Sequence, residues 1–251
     1  MERRGRGVWD VTDLKSLHAL IDFDSFLWRV GAVTNDEPVE NALYTLKQII
    51  EGFKEQFGSI QLYLTGRDNF RTRIATIQEY KGNRQQEKPK WYSEMKDYAI
   101  SSYGASVSVD READDDVGIA QWAAKDRSTC IVSLDKDMNC IPGHHWHPIK
   151  QTYYYVTLAE ANKNFWTQVL TGDSTDNVRG IPKVGPKTAE KLLEGKESWN
   201  DLAEAARKAY ADKGIEHELA ENASLVWILR EDGIGYDGRP IREAEVCLQE
   251  S

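Results

Sequence analysis

The stretch HALIDFD, His18 to Asp24, is an apolar run that stops at two aspartates. A run this short and this continuously apolar reads as a strand buried on both faces, with Asp22 and Asp24 at its carboxyl end. Two further runs, SIQLYL (59–64) and TCIVSL (129–134), repeat the pattern, and ASVSV (105–109) is a weaker instance. Between the first two, Val39, Leu43, Leu46, Ile50, Phe53 and Phe57 recur at helical spacing and stop at Gly58. EADDDVGIAQWAAKD (112–126) reads as another helix. Strands alternating with helices predict an α/β fold, a mainly parallel sheet covered on both faces. The polar, basic and aromatic residues 66–104 predict a mobile or partly helical insertion that ends in a helix near 91–103.

The second half changes character. YYYVTLAEANKNFWTQVL (153–170) begins as a strand and continues as a helix, with Thr157 and Glu160 spaced as a capping box. Helices are then predicted at about 186–194, 199–211 and 216–230, and a boundary near residue 165 separates an α/β part, 1–165, from a helical part, 166–251.

The chain has 251 residues, 40% hydrophobic and 29% charged, enough for a substantial core. No apolar run approaches the roughly 20 residues that cross a bilayer, and MERRGRGVWDVTD lacks the apolar stretch of a secretory signal. A soluble, cytosolic chain is expected. Cys130, Cys140 and Cys247 have no C-x-x-C spacing, which predicts structural thiols in a reducing compartment. The net charge of −9 opposes binding to phosphates, but its distribution does not. Residues 60–100 hold eight basic side chains against five acidic, and residues 177–191 hold four against one. The acids cluster instead in READDD (111–116) and LDKDM (134–138).

In a parallel sheet the carboxyl ends of the strands share one edge, the usual place for an active site. Asp22, Glu112, Asp114, Asp135 and Asp137 all follow predicted strands, and Asp173 and Asp176 follow a predicted helix. Singly, each is an ordinary strand-end or cap acid. Gathered together, they need counter-charge, because their repulsion would otherwise destabilise the fold. Oxygen-only ligands select Mg²⁺ or Mn²⁺, and a pair of such ions about 3.5–4 Å apart suits hydrolysis of a phosphodiester. In GIPKVGPKTAEKLL (180–193), Gly180 and Gly185 lack a Cβ, so the backbone can turn sharply and approach a phosphate, while Lys183, Lys187 and Lys191 supply charge. CIPGHHWHP (140–148) does not have zinc-ligand spacing and reads as a loop leading into a strand. Trp122, Trp166, Trp227 and Tyr153–Tyr155 are expected in the core. Tyr80, Trp91 and Tyr92, lying among basic residues, are placed to stack on an unpaired base.

The segments IDFDSFLWR, NFRTRIATIQEYKGNR, READDDVG, SLDKDMNCIP and LTGDSTDNVRGIPKVGPKTAEKLL occur in the order seen in the flap endonuclease or 5′-nuclease superfamily. Over residues 18–195 the chain resembles the 5′-to-3′ exonucleases of T-odd bacteriophages and the 5′-nuclease domain of bacterial DNA polymerase I. The resemblance implies a PIN-like catalytic domain at 1–165, a basic arch at about 82–103 that admits a single-stranded 5′ end, and a helix-three-turn-helix region at 166–251. It places Asp22, Glu112, Asp114, Asp135, Asp137 and Asp173 on the family's metal-binding acids, and Asp115 and Asp176 on acids of the bacterial and phage members. Lys81 and Arg84 fall on the basic pair that contacts the scissile phosphate, and Arg71, Tyr80, Gly180, Lys183, Gly185 and Lys187 on the DNA-contacting surface. It further implies two Mg²⁺ or Mn²⁺ ions and a K⁺ ion at the glycine-rich turn. The expected substrate is duplex DNA with a 5′ end, nick or flap, with RNA–DNA hybrids a further substrate. The expected setting is a monomer acting with replication proteins in the cytoplasm of a bacterial or phage-infected cell. One departure stands out: Gly66 occupies the place of a family aspartate, and Asp68 or a water is left to substitute. Two rival readings follow, a PIN-like ribonuclease and a DNA-end binder without catalysis.

Overall fold

The computed structural model describes residues 13–124 and 128–241. Its centre is a six-stranded sheet in the order β3-β2-β1-β4-β5-β6. The strands are β1 (His18–Asp22), β2 (Ser59–Leu64), β3 (Ser106–Val107), β4 (Thr129–Val132), β5 (Gly143–His147) and β6 (Thr152–Val156). All neighbouring pairs are parallel except β5 and β6, which run antiparallel at one edge.

Alternation along β1 sends side chains to two different cores. Ala19 and Ile21 pack with Phe26, Leu27 and Val30 of α1 (Asp24–Thr34), Leu46 and Ile50 of α2 (Val39–Gln56), and Met95 and Ala99 of α4 (Tyr92–Tyr103). Leu20 packs on the opposite face with Ile131, with Val117 of α5 (Ala113–Ala123), and with Ile141 and Ile228. Helix α1 had no counterpart in the hydrophobic spacing; it starts at Asp24, immediately after β1. Within the 66–104 insertion, only α3 (Arg71–Ile74) and α4 are helical, and α4 stops at Gly104, whose φ of 65° is left-handed.

A third core builds the helical half. Phe165, Trp166, Val169 and Leu170 of α6 (Leu158–Thr171) pack against α7 (Pro186–Leu192), α8 (Trp199–Ala211) and α9 (Leu219–Val226). Helix α6 begins with the expected capping box: Thr157 Oγ1 accepts from Glu160 N at 3.2 Å, and Thr157 N donates to Glu160 at 2.8 Å. The expected boundary at residue 165 falls inside this helix, and the same core takes in Phe70, Ile74 and Tyr80 from the insertion.

Two further expectations change. The last helix stops at Val226 rather than 230, because Leu229 N is drawn out of helical pairing to donate to Asp115 at 3.0 Å and Leu229 O lies where a Cβ on Gly118 would sit. Trp166 and Trp227 are buried as expected, whereas Trp122 is 36% exposed. Among the described residues no helix is long and apolar enough to cross a membrane. Cys130 and Cys140 are buried free thiols, and Cys247 lies outside the described residues.

Candidate active site

The carboxyl edge of the sheet and the end of α6 enclose a cavity of about 630 Å³. Glu112, Asp114, Asp135, Asp137, Asp173 and Asp176 line it together with Lys81 and Arg84, so residues from distant stretches of sequence converge there. Asp22 is not on its wall. It lies behind, at the end of β1, where Ser133 Oγ donates to it at 3.1 Å.

The loop carrying the basic pair is bolted to the turn after α6. Lys81 N donates to Asp176 O at 2.9 Å, Asn177 Nδ2 to Glu79 O at 2.8 Å, and Asn83 Nδ2 to Ser174 O at 2.6 Å. Lys81 and Asn177 both adopt positive φ, 58° and 61°, to make this fit. The side chains then pair: Lys81 Nζ bonds Glu112 and lies 3.6 Å from Asp176, while Arg84 Nη2 meets Asp176 at 2.6 Å. Asn83, Asn177 and Gln168, whose Nε2 lies 3.4 Å from Asp173, were not singled out from sequence. Both asparagines stand inside the quoted motifs, and an amide in a turn was the one available signal.

The electrostatics are those of crowded acids short of positive charge. Burial, with Asp24 and Asp135 nearby, pushes the Asp22 carboxyl up to about 7. Burial, followed by Asp135 and Asp173, likewise pushes Asp137 up to about 7. Asp114 is raised well above the carboxylate range by burial and by Asp115 and Glu112, and its Oδ1 is buried with no hydrogen-bond partner. Burial also works to raise Glu112, but Lys81 and Arg71 outweigh it and hold that carboxyl low. Among the described residues, no three His, Cys, Asp or Glu side chains are arranged to hold a metal ion as they stand. The donor set nonetheless fits a hard divalent cation: it is all oxygen, its carboxyls are crowded enough to raise one another, and it includes an orphaned buried carboxylate oxygen.

Several expected site residues have other work. Arg71, expected on DNA, is 2% exposed and makes a two-pronged pair with Asp115 at 2.6 and 2.8 Å, while also donating to the carbonyls of Leu225 and Trp227. Asp115, expected on metal, is fully buried, and each of its oxygens accepts twice, from Arg71 and from the N–H of Glu112 or Leu229. Asp115 has no acceptor capacity left for a metal, whereas Arg71 reaches the cavity wall with one Nη1 hydrogen not engaged by these four bonds. Tyr80 and Tyr92 are buried rather than presented for stacking. The Tyr80 hydroxyl lies 2.8 Å from Asp176 and 3.1 Å from Glu112, and the Tyr92 hydroxyl donates to Asp24 at 3.1 Å. Trp91 is half-buried, its indole N–H donating to Glu37 O at 2.9 Å.

Gly180 makes the sharp turn expected of it. It is buried, with φ 59°, and a Cβ there would lie 2.2 Å from Gly172 N; Gly172, φ 70°, would in turn strike Val178 O at 2.4 Å. The pair closes the 172–180 loop backbone against backbone, across mutual Asp173–Val178 hydrogen bonds of 2.8 and 2.7 Å. Gly185 is exposed with open space around it and caps α7, and Lys183, Lys187 and Lys191 are exposed. At Gly66 a Cβ would lie 2.1 Å from Ser108 O, so the backbone has closed over the space an aspartate would need. Asp68 is exposed and is not on the cavity wall. The histidine stretch forms β5, with His145 buried and bonded to Ile141 O at 2.9 Å.

Residues 162–231 match the family described as "5′-3′ exonuclease, C-terminal SAM fold". The chain is 28% identical to DNA polymerase I of Bacillus subtilis over 246 residues, covering 84% of this chain and 27% of that protein. It is 33% identical to the flap endonuclease Xni of Shewanella pealeana over 118 residues, covering 40% of this chain and 44% of that one. It therefore spans about a quarter to under half of these relatives' lengths. Among solved structures, the T5 D15 protein co-crystallised with metal ions superposes with a TM-score of 0.60 at 16% identity, covering 83% of this chain and 88% of that one. The catalytic core of Rad2 with DNA substrate gives 0.51 at 16% identity, covering 83% and 74%. Residues 162–231 thus match the 5′-3′ exonuclease C-terminal family, in a chain similar in sequence to bacterial DNA polymerase I and the flap endonuclease Xni and folded like the T5 D15 protein.

Proposed function

We propose that the protein is a divalent-metal-dependent nuclease that hydrolyses phosphodiester bonds at DNA 5′ ends, nicks or flaps. The observation that carries this reading is the single cavity in which Lys81 and Arg84 face six carboxylates, in a chain that continues into a 5′-3′ exonuclease domain. Asp114, Asp135, Asp137 and Asp173, with Asp22 behind them, are the residues to hold Mg²⁺ or Mn²⁺, two ions in this reading. Bound there, such ions supply the positive charge the acids lack and stabilise negative charge on the phosphate in the transition state.

The chain's own residues do the rest. Lys81 and Arg84, now engaged by Glu112 and Asp176, present their charge to the scissile phosphate when the strand enters. The exposed Lys183 and Lys187 flank the turn before α7 and grip duplex phosphates without reading bases, and that turn is the place for a K⁺ ion. Helix α4 and the basic loop before it form the arch. Removal of RNA paired to DNA, a monomeric state, replication partners and a cytoplasmic setting belong to the same proposal.

The second reading, a DNA-end binder without catalysis, is favoured by the closed backbone at Gly66. A 5′-labelled flap and a nicked duplex, each incubated with Mg²⁺ or with EDTA, separate the two. Cleavage only with Mg²⁺ is expected. Retention of the DNA with no Mg²⁺-dependent product would establish the binder, and cleavage of free RNA alone would point to a PIN-like ribonuclease.

A further inference from the structure

A second cavity, of about 610 Å³, opens beside the first, where β5 turns into β6. Asp135, Lys136 and Asn139 stand on the walls of both, so the two cavities meet along that short segment. We propose that the second cavity is a subsite for one nucleoside monophosphate unit of the cut strand, its phosphate held by Lys136, His147 and Lys150 and its base laid against Tyr154. The position of the subsite rests on the nuclease reading; its chemistry does not.

The donors are set for an anion. Lys81 and Arg84 in the first cavity are tied to carboxylates, but among the described residues neither Lys136 nor Lys150 has an ion-pair partner. The one acid on the wall is Asp135, at the junction with the first cavity. Lys150 N donates to His147 Nδ1 at 3.3 Å, which leaves the ring proton on Nε2 and makes that atom a donor. Hydroxyls of Ser25 and Thr152 complete a polar rim.

The remaining wall is suited to a base. Tyr154 is half-buried and held in place twice: its ring stacks on His145 at 5.2 Å, and its hydroxyl donates to Asn139 Oδ1 at 2.9 Å. A ring fixed in this way keeps little freedom to lose when a base lies against it, and stacking accepts any base. The volume falls within the range of small-ligand sites, roughly 300–1,000 Å³. Charge, hydroxyls and a fixed aromatic wall together suit a nucleotide better than inorganic phosphate or a peptide.

The test is binding of thymidine 5′-monophosphate to the full chain in EDTA, followed by NMR of the histidine and tyrosine rings, with thymidine and inorganic phosphate as separate probes. Thymidine 5′-monophosphate is expected to shift His147 and Tyr154 resonances, with a Kd at least tenfold weaker in a His147→Ala/Lys150→Ala double variant. Tyr154→Leu should weaken the nucleotide several-fold while leaving inorganic phosphate unchanged. Lys213→Ala, on the exposed surface after α8, should alter none of these. Equal nucleotide affinity in the double variant and the wild type, or shifts confined to Tyr80 in the first cavity, would overturn the proposal even in a chain that cleaves DNA. Nucleotide binding at His147 in a chain that fails to cleave would leave the subsite standing and remove the nuclease reading instead.

Discussion

Asp114 and Asp115 are sequence neighbours in READDD, yet the helix start turns them to opposite duties. Asp115 closes a buried ion pair with Arg71 and ties α5 to Leu229, whereas Asp114 faces the acid cavity with an oxygen that nothing satisfies. Removing one partner of a buried pair strands the other's charge, at a cost of about 3–5 kcal/mol. Asp115→Asn is therefore expected to lower the urea midpoint sharply. Asp114→Asn should raise the melting temperature in EDTA, because it removes one of several repelling acids, and should weaken Mg²⁺ binding measured by calorimetry. Nothing in the run of three aspartates separates the two. The distinction depends on Arg71, over forty residues away, which in sequence looked like one more phosphate contact.

At the scale of elements, the joint between the 79–84 loop and the 173–178 turn positions the basic pair. Asn177→Ala loses the bond to Glu79 O and puts an alanine at left-handed φ, together about 2 kcal/mol. Cleavage of a nicked duplex should show kcat reduced about tenfold with KM nearly unchanged, since Lys183 and Lys187 are untouched. Asn177→Gly, which tolerates the φ, should recover part of the loss. Strands β1, β2 and β4 were legible from their apolar runs, and α6 from its capping box, because these signals are local. Strand β5, with three histidines in five residues, was not. Three further features were not. Helix α1 follows β1 with no punctuation, α9 ends where a distant carboxylate captures Leu229 N, and Gly180 closes backbone against backbone with Gly172. Each is decided by a contact from another part of the chain.

Across the whole molecule, the acid edge couples stability to pH and to metal. Asp22 and Asp137 hold their protons to about 7 in the folded chain, against roughly 4 for an unfolded aspartate. Between those values the folded state binds more protons than the unfolded one, so stability falls as pH rises. In EDTA the melting temperature should, for these two groups, be highest at about pH 4 and below, decline from there to about pH 7, and level off above it. Millimolar Mg²⁺ should restore most of the decline at neutral pH and little at pH 5. A flat profile in EDTA would mean that the acids are better compensated than their surroundings indicate. That acids would gather at one edge was legible from strand topology. That Lys81 and Arg84 would already neutralise Glu112 and Asp176 was not, because it depends on how a loop docks.

Helix α6 follows β6 across the single residue Thr157, and its last residue, Thr171, leads directly into Gly172 and Asp173. The segment between the acids and α7 is closed by the mutual Asp173–Val178 bonds and pinned back onto α6 by Ile181 N, which donates to Leu170 O at 2.9 Å. The span between the acids and the lysines around α7 is thereby held to one length, like a gauge with one setting. The distance from a gripped duplex to the severed bond should stay at the same nucleotide whether the reaction is run cold or warm.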